Sequence, residues 1–177
     1  MEIHADGVVH HARPVVFRAM RDRLTEVAAF MPNITSIDEL ERIEETPGRD
    51  RIVNIWHGEG SIPAVARRFL KPDMLRWTDR AVWDESDWTC AWEQETAFFT
   101  DRVSCSGQNR YLQVEPELTR IEIRGVFALR LQGFAGLPGP LARRASPAVE
   151  RFIVGLITPN LEKTAEAAER FLDEQES

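Results

Sequence analysis

Residues 74–131 read MLRWTDRAVWDESDWTCAWEQETAFFTDRVSCSGQNRYLQVEPELTRIEIRGVFALRL, and their alternation decides the fold. In Met74–Asp84 the odd positions are Leu75, Trp77, Asp79, Ala81 and Trp83, against Arg76, Thr78 and Arg80. A period of two places successive side chains on opposite faces of a strand. Glu85-Ser86 breaks the run as a turn. From Trp88 to Ala97 the inward set is Trp88, Cys90, Trp92, Gln94 and Thr96, with Glu93 and Glu95 outward. Thr100-Asp101 turns the chain again. In Val103–Glu115 the inward set is Val103, Cys105, Gly107, Asn109 and Tyr111. After Glu115-Pro116-Glu117, Thr119–Leu131 turns Ile121, Ile123, Gly125, Phe127, Leu129 and Leu131 inward. Four consecutive antiparallel strands are predicted, with polar side chains among the apolar ones on the concave face.

Hairpins centred on those turns predict that Asp79 pairs with Trp92, Trp92 with Asn109, and Asn109 with Gly125. The next rung is Trp77, Gln94, Gly107 and Phe127. Inward faces then meet inward faces, which a one-residue slip would spoil. Gly107 and Gly125 would leave space on the concave side or let the sheet bend.

Working outward, Glu2–Val9 alternates as a first strand, and Pro14 suits the first turn of a following helix. Thr25 is placed as the cap of a second short helix ending at Phe30, before Pro32-Asn33. Ile34–Glu44 is assigned as a strand, Thr46–Asp50 as a turn and Arg51–His57 as a strand. Residues 58–72 break the pattern, and Pro63–Leu70 suits a short helix, either a connector or a flap over a pocket mouth. Residues 133–145 form a Gly/Pro-rich loop. From Ser146-Pro147 to about Gln175 an apolar stripe through Phe152, Leu156, Ala165, Ala168 and Leu172 predicts one long helix, bent or interrupted at Pro159.

The 177 residues suit a single domain over 1–177. A net charge of -7 argues against a general nucleic-acid binder. No apolar run approaches the ~20 residues of a membrane span. The N-terminal MEIHADGVVHHARP lacks a basic head and a long apolar core, so a cytoplasmic location is expected. Cys90 and Cys105 have no CxxC spacing and read as buried free thiols. His4, His10, His11 and His57 match no metal spacing, and no phosphate loop or nucleophile elbow occurs, so neither metal nor cofactor is expected. His10-His11 is expected exposed at a strand-to-helix corner, and Trp56 is assigned to the outer face.

The order of elements resembles the START-like helix-grip superfamily (SRPBCC), which includes pollen-allergen proteins, lipid-transfer domains and polyketide aromatase/cyclases. The resemblance rests on Arg13-Pro14-Val15-Val16-Phe17 feeding a helix, on Phe30-Met31-Pro32-Asn33-Ile34 turning into the second strand, and on the final helix. Pro63–Leu75, leading into a Trp-rich strand, looks like a bacterial branch of that superfamily. It implies an α+β fold, a curved seven-stranded antiparallel sheet gripping the C-terminal helix, with a cavity between them. It also implies binding or transport of an apolar, lipid-like or aromatic small molecule. The alternatives are a cyclase, dehydratase or hydrolase, and a co-chaperone-like interaction protein with a filled cavity. The superfamily has no universal catalytic signature, so none of its active-site residues is carried over.

Parity nominates the pocket wall: Trp77, Asp79, Trp92, Gln94, Asn109, Tyr111 and Phe127 from the sheet, Phe152 and Leu156 from the helix. Asp79 is the candidate for chemistry. Held by a Trp indole or an Arg, it is a piece of bonded core. Desolvated beside Asn109 and Tyr111, its pKa rises and it becomes an acid or base. Four tryptophans, Trp77, Trp83, Trp88 and Trp92, serve either as core fillers or as a wall for a ring-containing ligand.

Overall fold

The computed structural model describes residues 2–62, 75–97, 103–129, 151 and 159–176. Seven strands form one antiparallel sheet: β1 (Glu2–Val9), β2 (Ile34–Thr46), β3 (Arg49–Gly58), β4 (Arg76–Asp84), β5 (Thr89–Thr96), β6 (Val103–Glu115) and β7 (Leu118–Leu129). Their order is β1-β7-β6-β5-β4-β3-β2, so β1 and β2 are the two edges. Between these edge strands the chain runs through α1 (Arg13–Asp22), α2 (Leu24–Val27) and a 3-10 turn (Ala28–Phe30). The described C-terminal helix is α3 (Thr164–Glu176). Among the described residues no helix is long and apolar enough to cross a membrane. The predicted helix at 63–70, the 133–145 loop and most of the helix from Ser146, including Phe152 and Leu156, lie outside the described residues.

The alternation holds, and it sets the two faces. Leu75, Asp79, Ala81 and Trp83 are buried while Arg76 and Arg80 are exposed. Cys90, Trp92 and Thr96 are buried while Glu93 and Glu95 are exposed. The register departs from expectation by two residues in every hairpin. Asp79 pairs with Gln94 rather than Trp92, Trp92 with Gly107 rather than Asn109, and Asn109 with Ile123 rather than Gly125. At β4–β5 the cause is the turn. Asp84 pairs with Thr89, so four residues, Glu85 to Trp88, form the connection instead of two. Trp88 takes φ 56°, and Asp84 Oδ1 accepts hydrogen bonds from the Ser86 amide and hydroxyl. A slip of two preserves parity, so the hydrophobic pattern is blind to it.

Pro14 starts α1, whose Val16, Phe17, Ala19 and Met20 are buried. The chain breaks at Arg23, and α2 begins at Leu24 with no side-chain cap, so Thr25 is not the cap. Arg21 and Arg42 share Asp22 and tie α1 to β2, while Arg18 and Arg21 reach Glu85 in the β4–β5 turn. α3 buries Thr164, Ala165, Ala167, Ala168, Phe171 and Leu172, a stripe at helical spacing. Its outer end is held at the β1–α1 corner. The His10 amide donates to Glu169 Oε2 at 2.6 Å, the His10 ring lies 2.7 Å from Glu169 Oε1, and the His11 ring lies 3.1 Å from Asp173. His11 is therefore buried, 6% exposed, against the expectation for this corner.

β1 and α3 approach closely at Gly7. A Cβ there would lie well inside van der Waals contact of the Ala165 Cβ, with nothing else nearer than 3.8 Å. Gly7→Ala is expected to cost about 1–3 kcal/mol by overpacking. Ala165→Gly in the same chain should recover part of that loss, because it removes the one clashing atom. Urea unfolding of the single and double variants checks both statements, and an additive double variant would show that the helix tolerates the approach.

Candidate functional site

Every second residue of β4 and β5 faces the concave side, and together these residues frame a cavity of about 60 Å³. Asp79, Ala81 and Trp83 come from β4, Cys90, Trp92 and Gln94 from β5, and Asn109 from β6. Trp56 of β3 closes one side, Met20, Leu24 and Met31 the helical side, and Leu161 and Thr164 the side of the C-terminal helix. The volume suits about two water molecules, and is well below the roughly 150 Å³ that admits a benzene ring in a rigid apolar cavity. A ring-sized occupant has to displace flexible neighbours. Met20, Leu24, Met31 and Leu161 are such neighbours, because unbranched thioether and leucine side chains adapt at low cost.

Asp79 is 5% exposed. Its Oδ1 accepts one hydrogen bond, from Gln94 Nε2, at a long 3.3 Å. No cation among the described residues pairs with it. Burial therefore dominates, and its pKa is pushed up from 3.8 to about 7, with the Gln94 bond pulling weakly the other way. Among the described residues neither an arginine nor an indole holds the carboxyl as expected for bonded core. The Trp92 indole instead donates to Asn109 Oδ1 at 2.8 Å. Near neutral pH the carboxyl is poised between a donor and an acceptor, in a wall that is otherwise mostly apolar.

The two thiols are inert by the same physics. Burial pushes Cys90 well up and Cys105 up to about 12, and the nearby Asp79 adds to both. A thiol held protonated is a poor nucleophile. Among the described residues no group of three or more His, Cys, Asp or Glu is placed to hold a metal ion.

The nominated wall is only partly assembled. Asp79, Trp92, Gln94 and Asn109 line the cavity. Tyr111 is 1% exposed and packs edge-on against Phe17 at 5.2 Å, away from the lining. Phe127 is a core residue beneath the sheet surface, 2% exposed. Trp77 stands behind Trp56, stacked at 5.8 Å and 21°. Trp83 lines the cavity whereas Trp88 packs on Phe17 and under the Arg13 guanidinium. Trp56 is a correction: it pairs with Trp77 and faces the cavity, not the outer side. Apolar residues of both parities in β3 hide this, and only the pairing of Trp56 with an inward tryptophan reveals it. Met20, Met31 and Leu161 were also missed, since a helical stripe reads as core whichever part of it meets a void.

No family model matches the chain, and no curated protein matches it. Solved structures do. A protein of Thermus thermophilus superposes with a TM-score of 0.70 at 16% identity, covering 100% of both chains. The Zhui aromatase/cyclase of Streptomyces sp. R1128 superposes with a TM-score of 0.62 at 18% identity, over 100% of this chain and 96% of that one. A START superfamily protein of Mycobacterium smegmatis superposes at 0.51 and 11% identity, over 98% of each. The chain has the START-like helix-grip fold. In this START-like sheet the cavity lies where strands β3 to β6 curve beneath the helices, and Asp79 is its buried carboxyl.

Proposed function

We propose that the protein binds a small apolar, ring-containing molecule between the sheet and the C-terminal helix, with Asp79 orienting it. One observation carries the reading: a buried carboxyl with a single long hydrogen bond and no cation partner among the described residues, in the wall of a mostly apolar cavity. Small-molecule sites combine an apolar wall with a few convergent polar groups. A bonded core seldom leaves a carboxyl short of partners.

Isopropylbenzene is a suitable probe. Its addition is expected to shift the indole N–H signals of Trp56, Trp83 and Trp92 in a proton–nitrogen correlation spectrum and to leave Trp88 in place. Ala81→Leu, which fills the floor, is expected to abolish those shifts while the protein stays folded. Unmoved indoles in the unmodified protein would sink the reading and favour an interaction protein with a filled interior.

A second reading is enzymatic, a cyclase- or dehydratase-like proton transfer by Asp79. It is favoured by the carboxyl being pushed up to about 7, where an acid–base group works best at neutral pH. Exchange of the methyl protons of acetophenone in D₂O tests it. The C–H bond breaks, Asp79 takes the proton, and a deuteron returns to the carbon. Exchange that is accelerated by the protein and lost in Asp79→Asn supports the reading; exchange at the buffer rate removes it.

A further inference from the structure

Asp79 on the cavity wall lacks a full set of partners, and Trp56, which also lines the cavity, carries an indole Nε1 that is buried with no acceptor among the described residues. The register places these groups close together. Asn54 stands opposite Asp79 and Trp56 opposite Trp77, so Trp56 and Asp79 are diagonal neighbours on the same face of adjacent strands. Such neighbours lie roughly 7–8 Å apart at their Cα atoms, within reach of a long aromatic side chain. The stacked Trp77 behind it holds the Trp56 ring in place, and its own Nε1 is likewise buried without an acceptor among the described residues. Burying an N–H unpaired costs more than a hydrogen bond returns, so a wall that keeps one gains when an occupant brings the acceptor.

We infer that the site selects an uncharged aromatic molecule with an acceptor oxygen, received by the Trp56 Nε1–H, with the Asp79 carboxyl beside it. This rests on the binding reading above and narrows it to a ligand class. A carboxylate ligand would face Asp79 with no cation among the described residues to offset the repulsion. A cationic amine would suit an ionised Asp79 but would leave the indole donor unpaired. A neutral oxygen satisfies the indole at any charge state of Asp79, and it gains a second donor when the carboxyl is protonated, a state favoured by the carboxyl's burial.

Four probes of nearly equal shape separate these cases: acetophenone, isopropylbenzene, 1-phenylethylamine and benzoate. Titrations are followed by the indole N–H signals at pH 6.5 and 8. Acetophenone is expected to bind about 5–10-fold more tightly than isopropylbenzene, the return on one restored hydrogen bond. It should also move the Trp56 indole proton downfield, while isopropylbenzene does not. Trp56→Phe is expected to erase that preference, so that acetophenone and isopropylbenzene bind the variant equally, which a merely structural role of Trp56 would not do. Equal affinity of acetophenone and isopropylbenzene would overturn the inference and leave the binding reading standing. Tightest binding by the amine or by benzoate would overturn it too. If none of the four binds, the binding reading falls and takes this inference with it.

Discussion

Asp79→Asn is expected to stabilise the protein, by an amount that grows with pH. The carboxyl is 5% exposed, and burial pushes its pKa from 3.8 to about 7. An acid whose pKa is raised by folding holds its proton in the native state after the unfolded chain has released it. Stability is then lost as pH rises, beginning near the unfolded value of about 3.9 and ending above the folded one. The shift is roughly three pH units, so the loss approaches roughly 4 kcal/mol once both states are ionised. Asparagine has the same shape, keeps an acceptor for Gln94 and never ionises. Urea unfolding at pH 4 should give wild type and variant within about 0.5 kcal/mol of each other. At pH 8 the variant should lead by about 2–4 kcal/mol. A variant no more stable than wild type at pH 8 would mean that the ionised carboxyl has a partner, and the orienting role assigned to it would go. Destabilisation by the native residue is the usual signature of a group kept for function.

Gly107→Ala carries the largest expected loss. Trp92 and Gly107 face each other across β5 and β6, and Gly107 faces Gly125 across β6 and β7. A Cβ on Gly107 would lie 2.5 Å from the Trp92 ring and 2.8 Å from the Gly125 Cα, and closer still to the Arg124 carbonyl oxygen. On Gly125 it would meet the Ser106 carbonyl at 2.7 Å and the Trp92 ring at 2.9 Å. The two glycines are thus the seat of an indole, not a space left in the pocket. Overpacking that cannot be relieved by side-chain rotation costs about 1–3 kcal/mol, and the backbone contacts place Gly107→Ala at or above the top of that range. Were the site open, alanine would be neutral or slightly stabilising through the unfolded chain. Trp92→Leu should soften the Gly107→Ala penalty by about 1 kcal/mol, since it removes the ring contact and leaves the backbone ones. A double-mutant cycle by urea unfolding reads the difference, and strict additivity would place the strain in the backbone alone.

The two faces of the sheet were legible in residues 74–131 because side-chain direction is local: one residue forward reverses it. Alternation identified Asp79, Trp92, Gln94 and Asn109 as inward, and all four line the cavity. Tyr111 and Phe127 have the same parity but lie in filled parts of the core, which parity cannot distinguish from an open part. His11 illustrates a different gap. Its burial depends on Asp173, 162 residues away, and no local pattern carries that.

What the sequence determined by itself was the order of the described elements and the inward faces of β4 to β7, because both follow from nearest-neighbour stereochemistry and hydrophobic period. The tertiary structure alone decided the register, since a two-residue slip leaves every face unchanged; at β4–β5 the four-residue turn at 85–88 selects among the alternatives. It also decided which inward residues meet a void. A cavity is space left by side chains from β3 to β6, α1, α2 and the C-terminal segment at once, and space of that kind has no period along any one of them.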